Sequence, residues 1–208
     1  MTPRMHLPFA LAGIAAVVLA ACTSDDDGDP IAEPTETTGE PTTPPLTSPP
    51  TPSPEERAAE DIKSVFNELI AAWDDARMNT SDYASENPTW ATELVLDWPA
   101  DMGAQDDLAS WLGAWGRSDI EQVGETVIAT HEISDVELSD DGEPVSATSR
   151  ACLDMTELKA VDYDGNPYEP PSEPAQYQSW DMTWNYLPPE PGWTLLEIDL
   201  TLNEPCSP

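Results

Sequence analysis

The residue best suited to acid–base chemistry in this sequence is His131. It is one of 2 histidines, and the other, His6, immediately precedes the apolar segment at the N-terminus. An imidazole is the side chain whose ordinary pKa permits proton transfer near neutral pH. Catalysis would also need a paired acid, and no carboxylate stands at a diagnostic spacing from His131. We therefore expect a strand residue with a solvated or hydrogen-bonded imidazole, and catalysis through His131 is the alternative.

The first of the 3 cysteines suggests a different chemistry. Cys22 follows Leu19-Ala20-Ala21 at the end of an apolar run, residues 7–19, and this arrangement resembles the lipobox of bacterial prolipoproteins. The resemblance implies that residues 1–21 are a signal peptide, cut just before Cys22, whose thiol receives a diacylglyceryl group. The run is also shorter than the roughly 20 apolar residues that a permanent membrane helix needs. We expect a palmitate-type lipid anchor on Cys22, on the extracytoplasmic face of the cell membrane.

The other two cysteines, Cys152 and Cys206, are an even pair in what would be an oxidising compartment. This predicts one disulfide between them. It would close a loop of about 50 residues, for which the chain-entropy model gives about 4 kcal/mol of stabilisation. The rival interpretation is a catalytic thiol, which would need an adjacent base, and His131 is the one histidine that could supply it.

Residues 22–53 are composed almost entirely of Asp, Glu, Thr, Ser and Pro. Such a segment cannot bury enough apolar surface to offset its ordering entropy, so the composition predicts a disordered tether. Its prolines favour extended polyproline II, which suits a spacer between the lipid and the domain. The acidic run 25–29 lacks the later bidentate glutamate of a calcium loop, and we interpret it as solvated charge.

The net charge of -34 disfavours several partners. Nucleic acid and anionic lipid head groups would be repelled, so we expect no nucleic-acid binding. Metal binding is not indicated either, because a single histidine and no clustered thiols remain once the anchor is assigned. The acidic segment 162–166 is more typical of a hairpin turn than of a metal site. We expect no metal and no cofactor.

Residues 54–208 are expected to form one domain that opens with helices. Ser53, Pro54 and Glu56 are typical of a helix start, since serine caps, proline fits the first turn and Glu56 completes a capping box. Apolar residues then recur every three to four positions, which predicts a long amphipathic helix. The predicted helices span 54–77, 89–96 and 107–115.

After Gly124 the periodicity changes from helical to alternating, which predicts strands. The expected strands span 125–138, 144–154, 176–187 and 193–203, with a further stretch that reaches Val161. In the strand 176–187 the apolar side chains share one face: Trp180, Met182, Trp184 and Tyr186. In the last strand the apolar face consists of Leu196, Ile198, Leu200 and Leu202. Helices first and an antiparallel sheet afterwards describe an α+β fold.

This pattern resembles the nuclear-transport-factor-two-like superfamily, also called the SnoaL-like or cystatin-like cone fold, and in particular the small exported lipoproteins of actinobacteria. The matching features are the helix 54–77, the segment 150–154, the turn 162–165, the strand 180–186 and the terminal strand from Gly192-Trp193 to Pro205-Cys206. The resemblance implies N-terminal helices packed on a curved antiparallel sheet, with a pocket between them. It does not identify a function, because many unrelated activities share this fold.

Enzymes of this cone fold place acid and base residues in that pocket. The resemblance makes five side chains candidates for such a role: His131, Asp135, Asp154, Asp181 and Tyr186. On strict strand alternation, His131 would lie in phase with Ile133 and Asp135.

Tryptophan is the more informative residue type, because all 8 tryptophans lie in the domain. Trp180 and Trp184 alternate onto one sheet face, and Trp111 and Trp115 lie one turn apart on a predicted helix. Together with His131 they are the candidate pocket residues. The default interpretation is that the tryptophans form core. A cavity lined by them would instead suit a hydrophobic or ring-bearing small molecule.

The sequence thus favours a membrane-anchored extracytoplasmic lipoprotein with a non-enzymatic binding or accessory domain. Its partners would be the membrane, through Cys22, and either an envelope protein or an apolar small molecule. The alternative is a small isomerase or dehydratase with a pocket built around His131. The two hypotheses differ in one structural expectation, because the enzyme requires His131 within hydrogen-bond reach of an Asp or Tyr.

Overall fold

The computed structural model describes residues 51–85, 87–169, 175–189 and 192–202. These residues belong to a compact unit that extends from Pro49 to Pro208. The predicted signal peptide, the lipidation site Cys22, the tether up to residue 50, Cys206 and the side chain of Leu202 lie outside the described residues. The predictions made for them stay predictions.

In the described part of the chain, helices come first: α1 (Pro54–Met78), α2 (Thr80–Ala84), α3 (Trp90–Val95) and α4 (Met102–Arg117). The strands follow: β1 (Ile120–Val123), β2 (Val127–Leu138), β3 (Pro144–Asp154), β4 (Lys159–Asp162), β5 (Tyr177–Leu187) and β6 (Gly192–Leu202). All the strand pairings are antiparallel. The predicted α+β class is confirmed.

The start of α1 agrees with its sequence signals. Ser53 Oγ accepts a hydrogen bond from the Glu56 backbone N–H at 3.2 Å, and the Glu56 carboxylate accepts one from the Ser53 N–H at 2.7 Å. This capping box satisfies N–H groups that the first turn leaves without helical partners. The buried face of α1, which includes Ile62, Phe66 and Leu69, packs against β2, β3 and β6. The helix therefore lies across the sheet, as its apolar spacing predicts.

The main sheet has the strand order β2-β3-β5-β6, and β1 pairs with β4 in a separate two-stranded sheet. Among the described residues, β2 and β6 are therefore the edges of the main sheet. The pairing of β2 is irregular between Ile128 and Thr130 and again between Ser134 and Glu137. At the second irregularity Asp135 has a positive φ of 48°. Bulges of this kind bend and twist a strand, so β2 departs from straight pairing at both places.

The last strand differs from the prediction in which side chains face the core. Leu195, and not Leu196, is fully buried. The register gives the reason, because Trp184 pairs with Leu195 whereas Thr183 pairs with Glu197, which leaves Leu196 as an extra residue in β6. An extra residue reverses the alternation on one side of the bulge. The prediction that the apolar side chains of the last strand face the core is therefore correct for Ile198 and Leu200 but not for Leu196.

The core between α1 and the sheet is rich in tryptophan. The ring centroid of Trp73 lies 6.3 Å from Trp98, 6.3 Å from Trp111 and 6.1 Å from Trp180, and each pair is close to perpendicular. Edge-to-face contacts at this separation are a favoured geometry of aromatic pairs. Trp180 and Trp184 are both 0 % exposed. These two tryptophans are core residues, and Phe66 and Trp73 of α1 pack against Trp180.

The predicted start of α4 and the predicted set of strands need correction. Helix α4 begins at Met102 rather than at residue 107, because the Asp101 carboxylate caps it by accepting a hydrogen bond from the Met102 N–H at 2.6 Å. Its first turn is mostly exposed, so the apolar stripe on which the prediction rests starts only at Leu108. Strand β1 lies outside the predicted strands, since its 4 residues are too few to show a period of two.

Candidate functional site

A cavity of about 490 Å³ lies beside the core, where the C-terminal ends of α1 and α4 meet the two-stranded sheet of β1 and β4. Its lining is largely apolar and includes Trp115, Ile120, Met155, Leu158, Val161 and Pro167. Concave sites of roughly 300–1,000 Å³ with apolar walls and a few polar groups are typical of small-molecule binding. This cavity is the candidate functional site.

One charged side chain in the wall of the cavity, Arg77, is almost fully buried. It belongs to the last turn of α1 and is 7 % exposed. Its guanidinium carbon lies 3.8 Å from the ring centroid of Trp115 and 5.4 Å from that of Trp73. Cation–π contacts partly compensate a buried cation for its lost hydration. Its Nε atom is nevertheless buried without a hydrogen-bond partner in the described structure.

The carboxylate whose charge acts on Arg77 is already engaged by other groups. Asp74 accepts hydrogen bonds from Gln122 Nε2 at 2.7 Å and from the backbone N–H and hydroxyl of Thr126, both at 2.6 Å. These bonds tie α1 to β1 and to the start of β2. Burial lowers the pKa of Arg77 to about 10, and the negative charge of Asp74 acts in the opposite direction. The guanidinium therefore stays protonated at neutral pH, although no salt bridge to it is present among the described residues.

The remaining polar groups of the cavity are few. Lys159 stands exposed at the edge of the cavity, and Tyr168 and Gln178 contribute to the wall. Gln178 Oε1 accepts a hydrogen bond from Trp180 Nε1 at 3.3 Å. Within the described ranges, the lining residues include no aspartate and no glutamate. The site thus offers an apolar surface together with two positive charges.

His131 does not line this cavity. It is half-buried on the inner side of β2, with its ring centroid 4.4 Å from that of Phe66. Its Nε2 lies 3.1 Å from Ser149 Oγ, which also accepts a hydrogen bond from Trp184 Nε1 at 2.8 Å. Burial lowers the pKa of His131 to about 4, with a smaller contribution from the positive charge of Lys63. None of the described hydrogen bonds of His131 involves an Asp or a Tyr. The enzymatic alternative requires such a bond, and the described residues do not provide it.

Two of the other acid–base candidates are bonded to threonine residues outside the cavity. Asp135 lies at the exposed bulge of β2 and accepts a hydrogen bond from Thr148 Oγ1 at 3.1 Å. Asp154 accepts hydrogen bonds from the hydroxyl of Thr156 at 2.7 Å and from its backbone N–H at 2.9 Å, and these lower the pKa of Asp154. Neither carboxylate lies in the cavity.

The last two candidates, Asp181 and Tyr186, lie on opposite faces of β5. Asp181 is on the outer face and accepts hydrogen bonds from Arg150 Nε at 2.6 Å and Arg150 Nη2 at 2.9 Å. An exposed ion pair of this kind stabilises by at most about 1 kcal/mol. Tyr186 packs against Trp193 with a centroid separation of 5.3 Å. The five candidates are therefore dispersed and do not form one site.

Of the candidate pocket residues, Trp115 lines the cavity. Trp180 and Trp184 lie in the core, and Trp111 is partly buried with its ring centroid 6.3 Å from that of Trp180. The alternation along β5 predicts the inner face for Trp180 and Trp184, but it carries no information on whether a helix fills the space above them.

The segment 162–166 forms the hairpin-type turn that its composition predicts. The Asp162 carboxylate accepts hydrogen bonds from the backbone N–H groups of Asp164 at 3.0 Å and Asn166 at 2.8 Å. Gly165 has a φ of 82°, a conformation that favours glycine. Across the described residues, no three His, Cys, Asp or Glu side chains are grouped in a way that could hold a metal ion.

Cys152 is buried in β3, opposite Ser179 of β5. Because Cys206 lies outside the described residues, the disulfide between Cys152 and Cys206 stays a prediction. Among the described helices, none combines the length and the apolar composition needed to cross a bilayer.

Sequence reasoning does not single out Arg77, which is the most unusual residue of the site. A basic residue near the C-terminal end of a helix is ordinarily explained by the helix dipole and expected to be exposed. One signal was present, because Arg77 follows Trp73 by four positions and so continues the buried stripe of α1. Spacing of this kind places a side chain on the buried face but does not tell whether it folds back to solvent.

No protein-family model matches the chain, and no curated protein matches it in sequence. A similar solved structure is that of the intermembrane space region of the chloroplast protein ARC6, with a TM-score of 0.38 and 16% sequence identity over 74% of this chain and 99% of that chain. A TM-score of this size indicates neither a shared fold nor a shared function. The resemblance to the nuclear-transport-factor-two-like superfamily therefore stays a prediction.

Proposed function

We propose that this chain is a lipoprotein anchored to the extracytoplasmic face of a membrane through Cys22, and that its domain binds an apolar small molecule without catalysing a reaction. The observation that carries the binding proposal is the apolar cavity of about 490 Å³. The anchor rests on the apolar run and the lipobox pattern that ends at Cys22.

The lining of the cavity supports binding rather than catalysis. Its described wall is largely apolar, and the charged side chains in it are those of Arg77 and Lys159. A ligand that loses about 200 Å² of apolar surface to the wall would gain about 5 kcal/mol before the entropic cost of association. Without that cost, 5 kcal/mol corresponds to a Kd of about 0.2 mM, so a titration has to reach millimolar concentrations of ligand.

The anchor is tested by expressing the full chain in a lipoprotein-processing bacterium beside a Cys22→Ser variant. We expect the unaltered chain to incorporate labelled palmitate and to enter the detergent phase, and the variant to do neither. A Cys206→Ser variant is the matched control, because it loses a thiol outside the lipobox and should still be lipidated. An unaltered chain that is exported without lipid would contradict the proposal.

The cavity is tested with N-phenylnaphthylamine, a neutral ring compound whose fluorescence rises in apolar surroundings. We expect saturable binding to residues 23–208, with energy transfer from Trp115. An Ala160→Phe variant places a ring in the cavity wall and should weaken binding at least tenfold. The same substitution at Ala71, which is exposed on α1, is the control and should leave binding unchanged. Equal binding by the two variants would refute the assignment of the cavity.

A further inference from the structure

The strongest unexplained feature of the cavity is the guanidinium of Arg77. Its guanidinium carbon lies over the rings of Trp115 and Trp73, and no described group accepts a hydrogen bond from its Nε–H. Ring faces attract a cation electrostatically but offer no lone pair that could accept a hydrogen bond. The two rings therefore leave the hydrogen bonding of Arg77 unsatisfied.

The described protein groups do not supply the missing acceptor. The Asp74 carboxylate is three positions away on α1, but its oxygens accept from Gln122 and Thr126. The one salt bridge among the described residues joins Arg150 to Asp181 on the outer face of the sheet. A buried charged donor without an acceptor is costly and rare, and such groups concentrate at binding sites.

The distribution of charge around the cavity is the second observation. The chain has 41 acidic residues and only 7 lysines and arginines. Arg77 and Lys159 are two of those 7, and both line this cavity, whereas no acidic residue among those that the structure describes does. In a strongly acidic protein, the cavity is therefore a local positive site. A neutral or cationic ligand would make no use of this arrangement.

We propose that the ligand of the cavity is an apolar organic acid, whose carboxylate binds Arg77 while its ring or chain packs against Trp115, Met155 and Leu158. This inference rests on the proposed binding function and specifies its ligand class. A carboxylate matches the planar donor geometry of a guanidinium and can accept two parallel hydrogen bonds from it. Lys159, exposed at the edge, adds a second positive charge that draws the acid in against the overall negative field.

The test compares two ligands that differ only in charge, naphthylacetate and its uncharged amide naphthylacetamide. Each is titrated at pH 7.5 into residues 23–208, as a competitor of N-phenylnaphthylamine and directly by calorimetry. We expect naphthylacetate to bind at least tenfold more tightly than the amide, because only the acid pairs a negative charge with the guanidinium and can accept two parallel hydrogen bonds from it. Equal affinities for the acid and the amide would overturn the inference.

Variants at Arg77 identify the group responsible. In Arg77→Leu we expect the affinity for naphthylacetate to fall to that of the amide, so that the preference for the acid is lost. Arg117→Leu is the matched control, since it removes an equal charge from an exposed position of α4 outside this cavity and should keep the preference for the acid. In Arg77→Lys, which keeps the charge but loses the planar donors, we expect an intermediate preference.

The outcomes separate this inference from the proposed function. If N-phenylnaphthylamine binds but the acid is not preferred, the ligand class is wrong and the binding function stands. If no neutral or acidic compound binds, both fail. Circular dichroism shows whether Arg77→Leu folds, and if it does not, Arg77→Lys and Lys159→Gln carry the test. A preference for the acid that is unchanged in both of these variants would refute the role of Arg77.

Discussion

Replacing His131 with glutamine should change how the stability of the domain depends on pH. In the folded chain the ring of His131 packs against Phe66, and burial lowers its pKa from 6.5 to about 4. In the unfolded chain the pKa returns to about 6.5. Between these values the unfolded chain binds a proton that the folded chain does not. The contribution of His131 is therefore complete above pH 6.5 and is lost as the pH falls towards 4.

The size of this effect follows from the shift in pKa. Each unit corresponds to about 1.4 kcal/mol, so a fully desolvated ring would lose at most about 3 kcal/mol between pH 6.5 and 4. The ring is only partly buried, and water screens part of the difference, which reduces the expected loss to about 1.5 kcal/mol. Glutamine does not titrate and can keep a hydrogen bond to Ser149, so the variant should lack this component.

The assay is urea unfolding of residues 23–208 and of His131→Gln at a series of pH values from 7.5 to 4.5. Other titrating groups affect both proteins alike and cancel in the difference between their free energies of unfolding. We expect the unaltered chain to lose about 1.5 kcal/mol more than the variant on acidification. His131 is the single histidine after Cys22, so its ring signals in a proton NMR titration report the pKa directly. Parallel stability curves, or an NMR midpoint near 6.5, would refute the reasoning.

Three further predictions concern stability, each measured by urea unfolding. Ser53→Ala removes the capping hydroxyl of α1 and should lower the free energy of unfolding by about 1 kcal/mol, whereas no change would mean that the capping box contributes nothing. Leu69→Ala, at a site that is 0 % exposed, should cost about 2–5 kcal/mol, and a loss well below this range would contradict its place in the core. Reduction of the predicted Cys152–Cys206 disulfide should cost about 2–4 kcal/mol, and the reductant should have no effect on Cys206→Ser.

The elements that could be predicted from the sequence are those fixed by local signals. The start of α1 depends on Ser53 and Glu56, whose side chains act within one turn, so the pattern and the hydrogen bonds agree. The strands from β2 onward are long enough for the alternation to be visible. The face of Leu195 could not be predicted, because it depends on an extra residue in the pairing of β6 with β5, and that pairing is a non-local property.

The candidate site could be predicted only in part, for a related reason. The sequence indicates an aromatic-rich interior and places Trp115 among the pocket candidates. It cannot tell which aromatic residues α1 covers, and in the structure Trp180 is covered by Phe66 and Trp73. The burial of Arg77 depends on the contact between the end of α1 and Trp115 of α4, and no local sequence pattern predicts that contact.

The irregular edge of the main sheet has a consequence for association between copies of this chain. An exposed edge strand offers its backbone groups to any similar strand, and this is a common route to aggregation. In β2 the irregularity at Asp135 interrupts the row of backbone donors and acceptors, while Glu132 and Glu137 are exposed beside it. Two copies meeting at this edge would bring like charges together along a bent strand. The shape and charge of β2 thus favour separate molecules, even where many copies are crowded on one surface.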